Sequence, residues 1–407
     1  MADKNSTIPK GWKMTTLGEV AEKIAMGPFG SNIKVETFVN NGIPVISGTH
    51  LNGYKLEDKE YNFITSEHAE KLKSANVFSG DIIFTHAGNV GQVAYIPENS
   101  KYKKYVLSQR QFFLRPKRDL LQTQYLTYFF KTREGQYKLL ANANQTGVPS
   151  IAQPVSYLKS IEINLPPLPE QRAIAAVLSS LDDKIELLRE QNKTLEAIAQ
   201  AIFKEWFVNF NFPGATGKMI DSELGKIPEG WKIYRFDEIM EFTSGNYIPK
   251  EEYDACGKNI IYGSNSVMGK TNKKTHTGPV IILAKIGSYC GAVQYSLNNC
   301  WINNNAGGIK GKTISTALIF EILKYFNFGI VREGSGQPYI NMSGLKIQEV
   351  ALPNDKSPIT IKASNIFDGL YKKIGENTNQ IKVLSSLRDT LLPKLMKGEV
   401  RVKGFKE

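Results

Sequence analysis

Four glycine-punctuated segments in the first half of the chain gather amide, hydroxyl and basic side chains: GPFGSNIK (27–34), SGTHLNGYK (47–55), FTHAGNVGQ (84–92) and LSQRQF (107–112). Four in the second half do the same: TSGNYIPK (243–250), YGSNSVMGKTNKK (262–274), AKIGSYCG (284–291) and INNNAGG (302–308). Side-chain amides read adenine edges bidentately, lysine and arginine read guanine, and hydroxyls and backbone amides hold phosphates. Glycine lets the main chain approach a duplex closely. The candidate DNA contacts in the first half are Ser31, Asn32, Lys34, His50, Thr85, His86, Asn89, Gln109 and Arg110. Those in the second half are Ser244, Asn246, Tyr247, Ser264, Asn265, Lys270, Lys273, Lys285, Ser288, Tyr289, Asn303 and Asn304. Arg110, following Gln109 between two β-type runs, is the sharpest of these for a base contact. Taken singly, each loop also reads as an ordinary polar turn. Two lysine clusters, Lys101 with Lys103 and Lys104 and Lys270 with Lys273 and Lys274, stand either as phosphate contacts or as solvated faces.

Chemistry that would act on nucleic acid is missing from the familiar patterns. A phosphate-cradling loop needs GxxxxGK[ST], and the nearest match, AGGIKGKT (306–313), has Ala306 where the first glycine belongs. Its GKT (311–313) reads as an exposed turn. An Asn-Pro-Pro-aromatic motif for gripping a flipped base is not met by NLPPL (164–168), which fits a rigid strand-to-helix turn better. His50, His68, His86 and His276 are scattered without metal-ligand spacing, so no metal site is expected. The acidic pairs Asp182-Asp183 and Glu251-Glu252 read as solvated surface. A self-contained methyltransferase or nuclease with a cryptic active site remains the rival to a non-catalytic reader.

Composition bounds the class. Of 407 residues, 51 are basic and 39 acidic, giving a net charge of +12, which suits a polyanionic partner as well as it suits a soluble protein that is simply basic. The length suggests two or three domains. Three cysteines without a CxxC pair fit a reducing cytoplasm. No signal-peptide run opens the chain, and no stretch long and apolar enough to span a membrane occurs.

The elements that must position the loops come in two copies. IPKGWKMTTLGEV (8–20) is answered by IPEGWKIYRFDEI (227–239), and TGVPSI (146–151) by SGQPYI (335–340). Leu158-Lys159 through Leu165-Pro166 is answered by Leu345-Lys346 through Leu352-Pro353, and Pro169 by Pro358. Four matches in one order mean that a unit of about 200 residues is duplicated. Each copy joins a segment of short β-type runs to one helix of about 38 residues. The stretch 212–230 between them reads as a linker.

Each helix carries a heptad seam. Ile174, Leu178, Leu181, Ile185, Leu188, Asn192, Leu195, Ala199, Ile202 and Trp206 follow one another at alternating steps of four and three. A shift of 189 residues, which takes Pro169 to Pro358, gives a second seam from Ala363 to Leu395. Each seam contains one asparagine, Asn192 and Asn377, and the two are not equivalent under that shift. Facing them in an antiparallel pair also opposes Leu188 to Ile381, Ile185 to Leu384, Leu195 to Ile374, Leu178 to Leu391 and Ile202 to Phe367. Leu181 against Arg388 fits less well, and Pro393 is expected to kink or end the second helix. The alternative is that both asparagines face solvent.

These motifs together resemble the specificity subunit of type I restriction–modification systems. The resemblance covers nearly the whole chain. It is most specific at GPFGSNIK (27–34), GDIIFTHAGNVGQVAYIP (80–97), residues 146–185 and LRDTLLPKLMKGEVRV (387–402). NDKSPITIKASNIF (354–367) departs from the pattern seen at PLPEQRAIA (167–175). The resemblance implies an α+β protein with two mixed α/β target recognition domains, separated by two long antiparallel coiled-coil helices in a pseudo-twofold internal repeat. The implied domains are 1–166 and 227–354 for recognition, 167–210 for the central spacer helix, 211–226 for the linker, and 355–407 for the C-terminal spacer helix and tail. It further implies a non-catalytic cytoplasmic subunit that binds double-stranded DNA at a bipartite asymmetric site and docks modification and restriction subunits. No cofactor belongs to this chain in that picture; S-adenosylmethionine, ATP and magnesium belong to the partners. Residues 23–145 are then expected to set one half-site and residues 242–334 the other.

Overall fold

The computed structural model describes residues 8–144 and 147–404, apart from the side chain of Ser31. It divides into two units, Met1–Ile185 with Val383–Glu407, and Glu186–Lys382.

In the first unit a four-stranded antiparallel sheet runs in the order Ala21–Met26, Gln111–Pro116, Ile82–Thr85, Val93–Tyr95. Its central strands are rich in β-branched and aromatic residues, and both faces are covered. Ile82, Phe84, Phe112 and Leu114 point into one core with the helical elements. Ile83, Phe113 and Ala94 point the other way, into a core with Ile46, Tyr105 and Leu107. This is the period-2 alternation of a strand, with apolar residues at both phases because neither face meets water. Behind the second face lies another four-stranded sheet, in which Ile43–Ile46 runs parallel to Tyr105–Leu107. The strand Lys13–Thr16 pairs with Glu162–Leu165, tying the two edges of the domain together.

The second unit repeats this order. Its sheet runs Met240–Ser244, Ala306–Gly311, Val280–Ala284, Val293–Ser296. Ile281, Leu283 and Ile309 face one core, and Val280, Ile282 and Ala306 face a second with Cys300 and Ile302. Asn259–Tyr262 runs parallel to Cys300–Ile302, and Trp231–Arg235 pairs with Glu349–Pro353. The duplication is therefore one of topology as well as sequence edges.

The long helices span Leu168–Phe203 and Pro358–Met396. The first ends in a π-turn, Lys204–Val208, and the second runs on through Pro393 to Met396 rather than stopping or breaking at the proline. Proline 393 comes within the last turn, so little helix remains beyond it to be disrupted. Each unit contains one antiparallel stretch of the pair. In the first, Ile174, Ala175 and Leu178 share a core with Leu392, Leu395 and Met396, and Arg388 bonds Asp182 at 2.6 Å. Glu170, fully buried, receives Arg401 at 2.8 and 2.6 Å and the Trp12 indole at 3.1 Å. In the second, Ala199 and Phe203 share a core with Ala363, Phe367 and Tyr371. There Asn377 donates to Asn192 Oδ1 at 2.9 Å, and Asn192 donates to the Thr378 hydroxyl at 3.3 Å. The asparagines face each other, as the seam spacing predicts, and Asn377 is buried.

Two further sequence expectations fail. Asp182 is not solvated surface: it is 7% exposed, holding Arg388 and the Tyr128 hydroxyl, while its neighbour Asp183 stays exposed. The presumed linker 212–230 contains a two-stranded hairpin, Met219–Ser222 with Gly225–Pro228, closed by Gly225 at φ +89°. The left-handed glycine supplies the turn. Among the described residues no helix is long and apolar enough to cross a membrane.

Replacing Asn192 with leucine strands the buried amide of Asn377 and is expected to lower stability by about 1–3 kcal/mol; Asn377→Leu, which leaves the half-buried Asn192 its bond to Thr378, is expected to cost less. The double Asn192→Leu, Asn377→Leu variant is expected to recover most of that loss. Chemical denaturation of the four proteins measures the coupling, and additive losses would contradict the facing pair.

Candidate nucleic-acid interface

Four loops of the first unit meet at one end of its central sheet. Gly27 donates its amide to the Gln111 carbonyl at 2.8 Å, which carries the pairing one residue past the strand Ala21–Met26. A Cβ on Gly27 would lie 2.1 Å from the Ser108 carbonyl oxygen, so only glycine fits. His86 donates its amide to the Arg110 carbonyl at 3.0 Å, and its Nε2 lies 3.1 Å from the Gln109 carbonyl. Burial pushes the imidazole pKa down, so the neutral ring carries its proton on Nε2 toward that carbonyl. Gly88, at φ +83°, donates its amide to the Pro149 carbonyl and lies beside the Arg110 guanidinium. The Gln109 side chain lies over Gly30. Loops 27–32, 86–91 and 108–110 thus form one surface on which Asn32, Asn89, Gln109 and Arg110 are exposed. The fourth loop, 47–53, is held to it by Gln92, which donates to the Gly48 carbonyl at 3.0 Å and to Asn52 at 3.3 Å. Lys131 secures the same loop by donating to the Gly53 carbonyl at 2.8 Å.

The second unit builds the same frame from different side chains. Gly245 donates to the Ala306 carbonyl, and a Cβ there would lie 2.0 Å from the Asn303 carbonyl oxygen. Lys285 donates its amide to the Asn305 carbonyl at 3.0 Å, as His86 does to Arg110. Gly287, at φ +98°, donates to the Pro338 carbonyl, as Gly88 does to Pro149. The Ser264 hydroxyl ties its loop to the Ile286 carbonyl at 3.0 Å, and the Trp301 indole holds the Asn246 carbonyl at 2.9 Å. Ser244, Asn246, Tyr247, Asn265, Ser288, Tyr289 and Asn304 are exposed on these loops, and Lys285 is half-buried, its pKa lowered by burial.

Several candidates lie elsewhere. His50 is buried, stacked on Tyr61 at 4.4 Å with Nδ1 accepting the Ser47 amide, so it shapes its loop from inside. Thr85 is buried and donates to Gln92 at 3.2 Å. Asn303 is buried with its amide against Met268. These three present no side chain to a surface ligand; a short polar residue at a strand end packs inward as readily as out. Lys34 is exposed at the start of the short helix Val35–Thr37, and Lys270 is exposed on the strand Val267–Thr271. Lys273 pairs with Glu252 at 2.8 Å. The Ser31 side chain lies outside the described residues. Phe29 lies outside the sequence candidates: it is 84% exposed and occupies the place that Tyr247, at 69%, takes in the other half, two residues after the close-packed glycine. Its exposure had no signal beyond an aromatic in a glycine loop.

A model of the type I restriction modification DNA specificity domain matches the chain twice, over residues 9–197 and 228–384. The chain belongs to that family. The chain is 29% identical over 438 residues to the MjaIX specificity subunit of Methanocaldococcus jannaschii, covering 97% of this chain and 95% of that one. It is 26% identical over 202 residues to the HindI specificity subunit of Haemophilus influenzae, covering 49% and 41%. The crystal structure of a type I system S subunit from M. genitalium superposes with a TM-score of 0.65 at 19% identity, covering 97% of both chains, which places the fold. Both specificity domains carry the loop surface on the same frame, with a close-packed glycine at the end of the edge strand.

Gly27→Ala and Gly245→Ala are expected to lose about 1–3 kcal/mol by overpacking against backbone oxygens. Gly53→Ala, whose Cβ would meet its nearest atoms at an ordinary 3.4 Å, is the control, expected to change stability by less than about 0.5 kcal/mol. Thermal unfolding compares the three. Burial also pushes the Lys131 pKa down to about 8. Between that value and the ordinary lysine value of 10.5 the unfolded chain binds more protons, so stability is expected to rise with pH across this window. Lys131→Met should flatten the rise, and an unchanged difference curve between the two proteins would count against a buried ammonium.

Proposed function

We propose that the chain is the non-catalytic specificity subunit of a type I restriction–modification complex, and that each of its two domains reads one part of a bipartite, asymmetric site in double-stranded DNA. The observation that carries this is the equivalence of the two loop frames together with the difference in what they display. Where the first domain presents Gln109 and Arg110, the second presents Asn304 and Asn305; where the first has His86, the second has Lys285. One backbone frame with two side-chain sets is what reading two different half-sites requires. The net charge of +12 adds the phosphate attraction that any duplex reader uses.

In this reading the chain supplies address and scaffold. It docks modification subunits, which use S-adenosylmethionine, and through them ATP- and magnesium-dependent restriction subunits, in the cytoplasm. The groups within the loops bind and orient DNA, and none is asked to transfer a methyl group or cleave a phosphodiester. The pure chain with DNA and labelled S-adenosylmethionine is accordingly expected to give no turnover.

Gln109→Ala with Arg110→Ala should weaken recognition of the first half-site by about tenfold or more, at roughly 1–3 kcal/mol per bidentate base contact, and leave the second unchanged. Asn304→Ala with Tyr289→Ala should do the reverse. Sequencing of methylated sites in cells carrying each variant with a modification subunit gives the result. Loss of both half-sites from either pair would overturn the two-reader account.

A further inference from the structure

Where each recognition domain meets its own long helix, one buried tyrosine–carboxylate pair joins them, and the two halves carry it in opposite orientation. In the first half the domain helix Thr123–Phe129 contributes Tyr128, whose hydroxyl donates to Asp182 of the first long helix at 2.9 Å. In the second half the domain helix Thr316–Tyr325 contributes Glu321, which accepts the hydroxyl of Tyr371 from the second long helix. These are equivalent positions. The shift of 189 residues that relates the long helices takes Asp182 to Tyr371. The domain helices align from Thr123 on Thr316 through Leu126 on Ile319 to Lys131 on Lys324, which puts Tyr128 on Glu321. All four side chains of the two pairs are buried, at 1% and 7% exposure in the first and 1% and 4% in the second.

A third position follows the exchange. Asp182 also receives Arg388 of the second long helix at 2.6 Å. The equivalent of Arg388 in the other half is Ala199, fully buried in the core that contains Tyr371, where the small side chain leaves room for the larger phenol. The first half thus holds Tyr128, Asp182 and Arg388, and the second Glu321, Tyr371 and Ala199.

We infer that these two sets are a matching code by which each recognition domain docks only on its own helix surface, so that the exchangeable unit of DNA specificity is a domain together with its helix through Asp182 or Tyr371. The physics is that of buried polar groups, which are expensive when unpaired and worse when alike in charge. The first domain on the second surface would set Tyr128 against Tyr371, two phenols with no carboxylate. The second domain on the first would set Glu321 against Asp182, two carboxylates left to compete for the single guanidinium of Arg388. Tyr128, Asp182, Glu321 and Tyr371 are positioning residues: they touch no DNA and act by fixing the angle at which a loop surface is presented. Residues 23–145 carry Tyr128 without Asp182, so an exchange of that segment alone separates a matched pair.

The consequence for DNA rests on the proposed function; the docking does not, and the test separates them. In the full chain, Tyr128→Glu and Asp182→Tyr are made singly and then together with Arg388→Ala, which installs the second half's set in the first. Hydrogen exchange over Thr123–Phe129 and 168–185 reads the docking directly. Each single change is expected to cost about tenfold or more in protection, and the triple variant to recover to within about threefold. Glu321→Tyr with Tyr371→Asp and Ala199→Arg is the reciprocal triple, and keeps the test open if the first does not fold. Triples no better protected than their singles in both halves would overturn the code. Site recognition by the same variants, assembled with a modification subunit, should lose only the half-site of the altered domain in the singles and regain it in the triple. Restored protection without any half-site effect would leave the code standing and count against the DNA reading.

Discussion

The register of the two long helices is the constraint on which the other placements depend. An isolated amphipathic helix of 36 or 39 residues exposes a long apolar stripe, and heptads alone permit several slips along it. The 2.9 Å bond from Asn377 to Asn192 removes that freedom, because any other register strands an amide against an apolar side chain. With that bond made, Ala199 and Phe203 fall beside Ala363, Phe367 and Tyr371, and this mixed surface is what the second recognition domain covers. In the first unit the equivalent surface is Ile174, Ala175 and Leu178 with Leu392, Leu395 and Met396. The domain cores are therefore continuous with helix seams, and the loop surface at the far end of each sheet inherits its position from them.

Within each domain the sheet does the positioning. Its central strands are buried on both faces, which leaves them little freedom, and the edge strands Ala21–Met26 and Met240–Ser244 pass into their loops at glycines that cannot carry a Cβ. The carbonyl oxygens of Ser108 and Asn303 occupy the space a side chain on Gly27 or Gly245 would need. The outcome is a rigid backbone frame whose exposed side chains can change without disturbing it.

Much of this was legible in the sequence, for a physical reason in each case. The duplication shows in the edges because Trp12 and Trp231 and the proline-rich turns are held by core packing, whereas the loops between them are free to diverge. The facing asparagines were legible because an antiparallel pair has one arithmetic of opposition, and a polar break in an apolar seam marks it. Asp182 was not legible, because its partners Tyr128 and Arg388 lie 54 and 206 residues away and an Asp-Asp pair on a helix looks solvated. The burial of His50, Thr85 and Asn303 was hidden for a related reason: the composition of a loop says which groups are present and not which side of the strand end they take. The exposure of Phe29 was hidden because an aromatic residue in a short loop packs inward in most settings.

The central claim is that two frames of common geometry read two different stretches of one duplex. The most direct test is selection of preferred duplexes from a random library by the full chain assembled with a modification subunit, followed by sequencing. The account predicts two short unlike motifs separated by a fixed run of unspecified bases. A single continuous motif, or two copies of one motif, would contradict it.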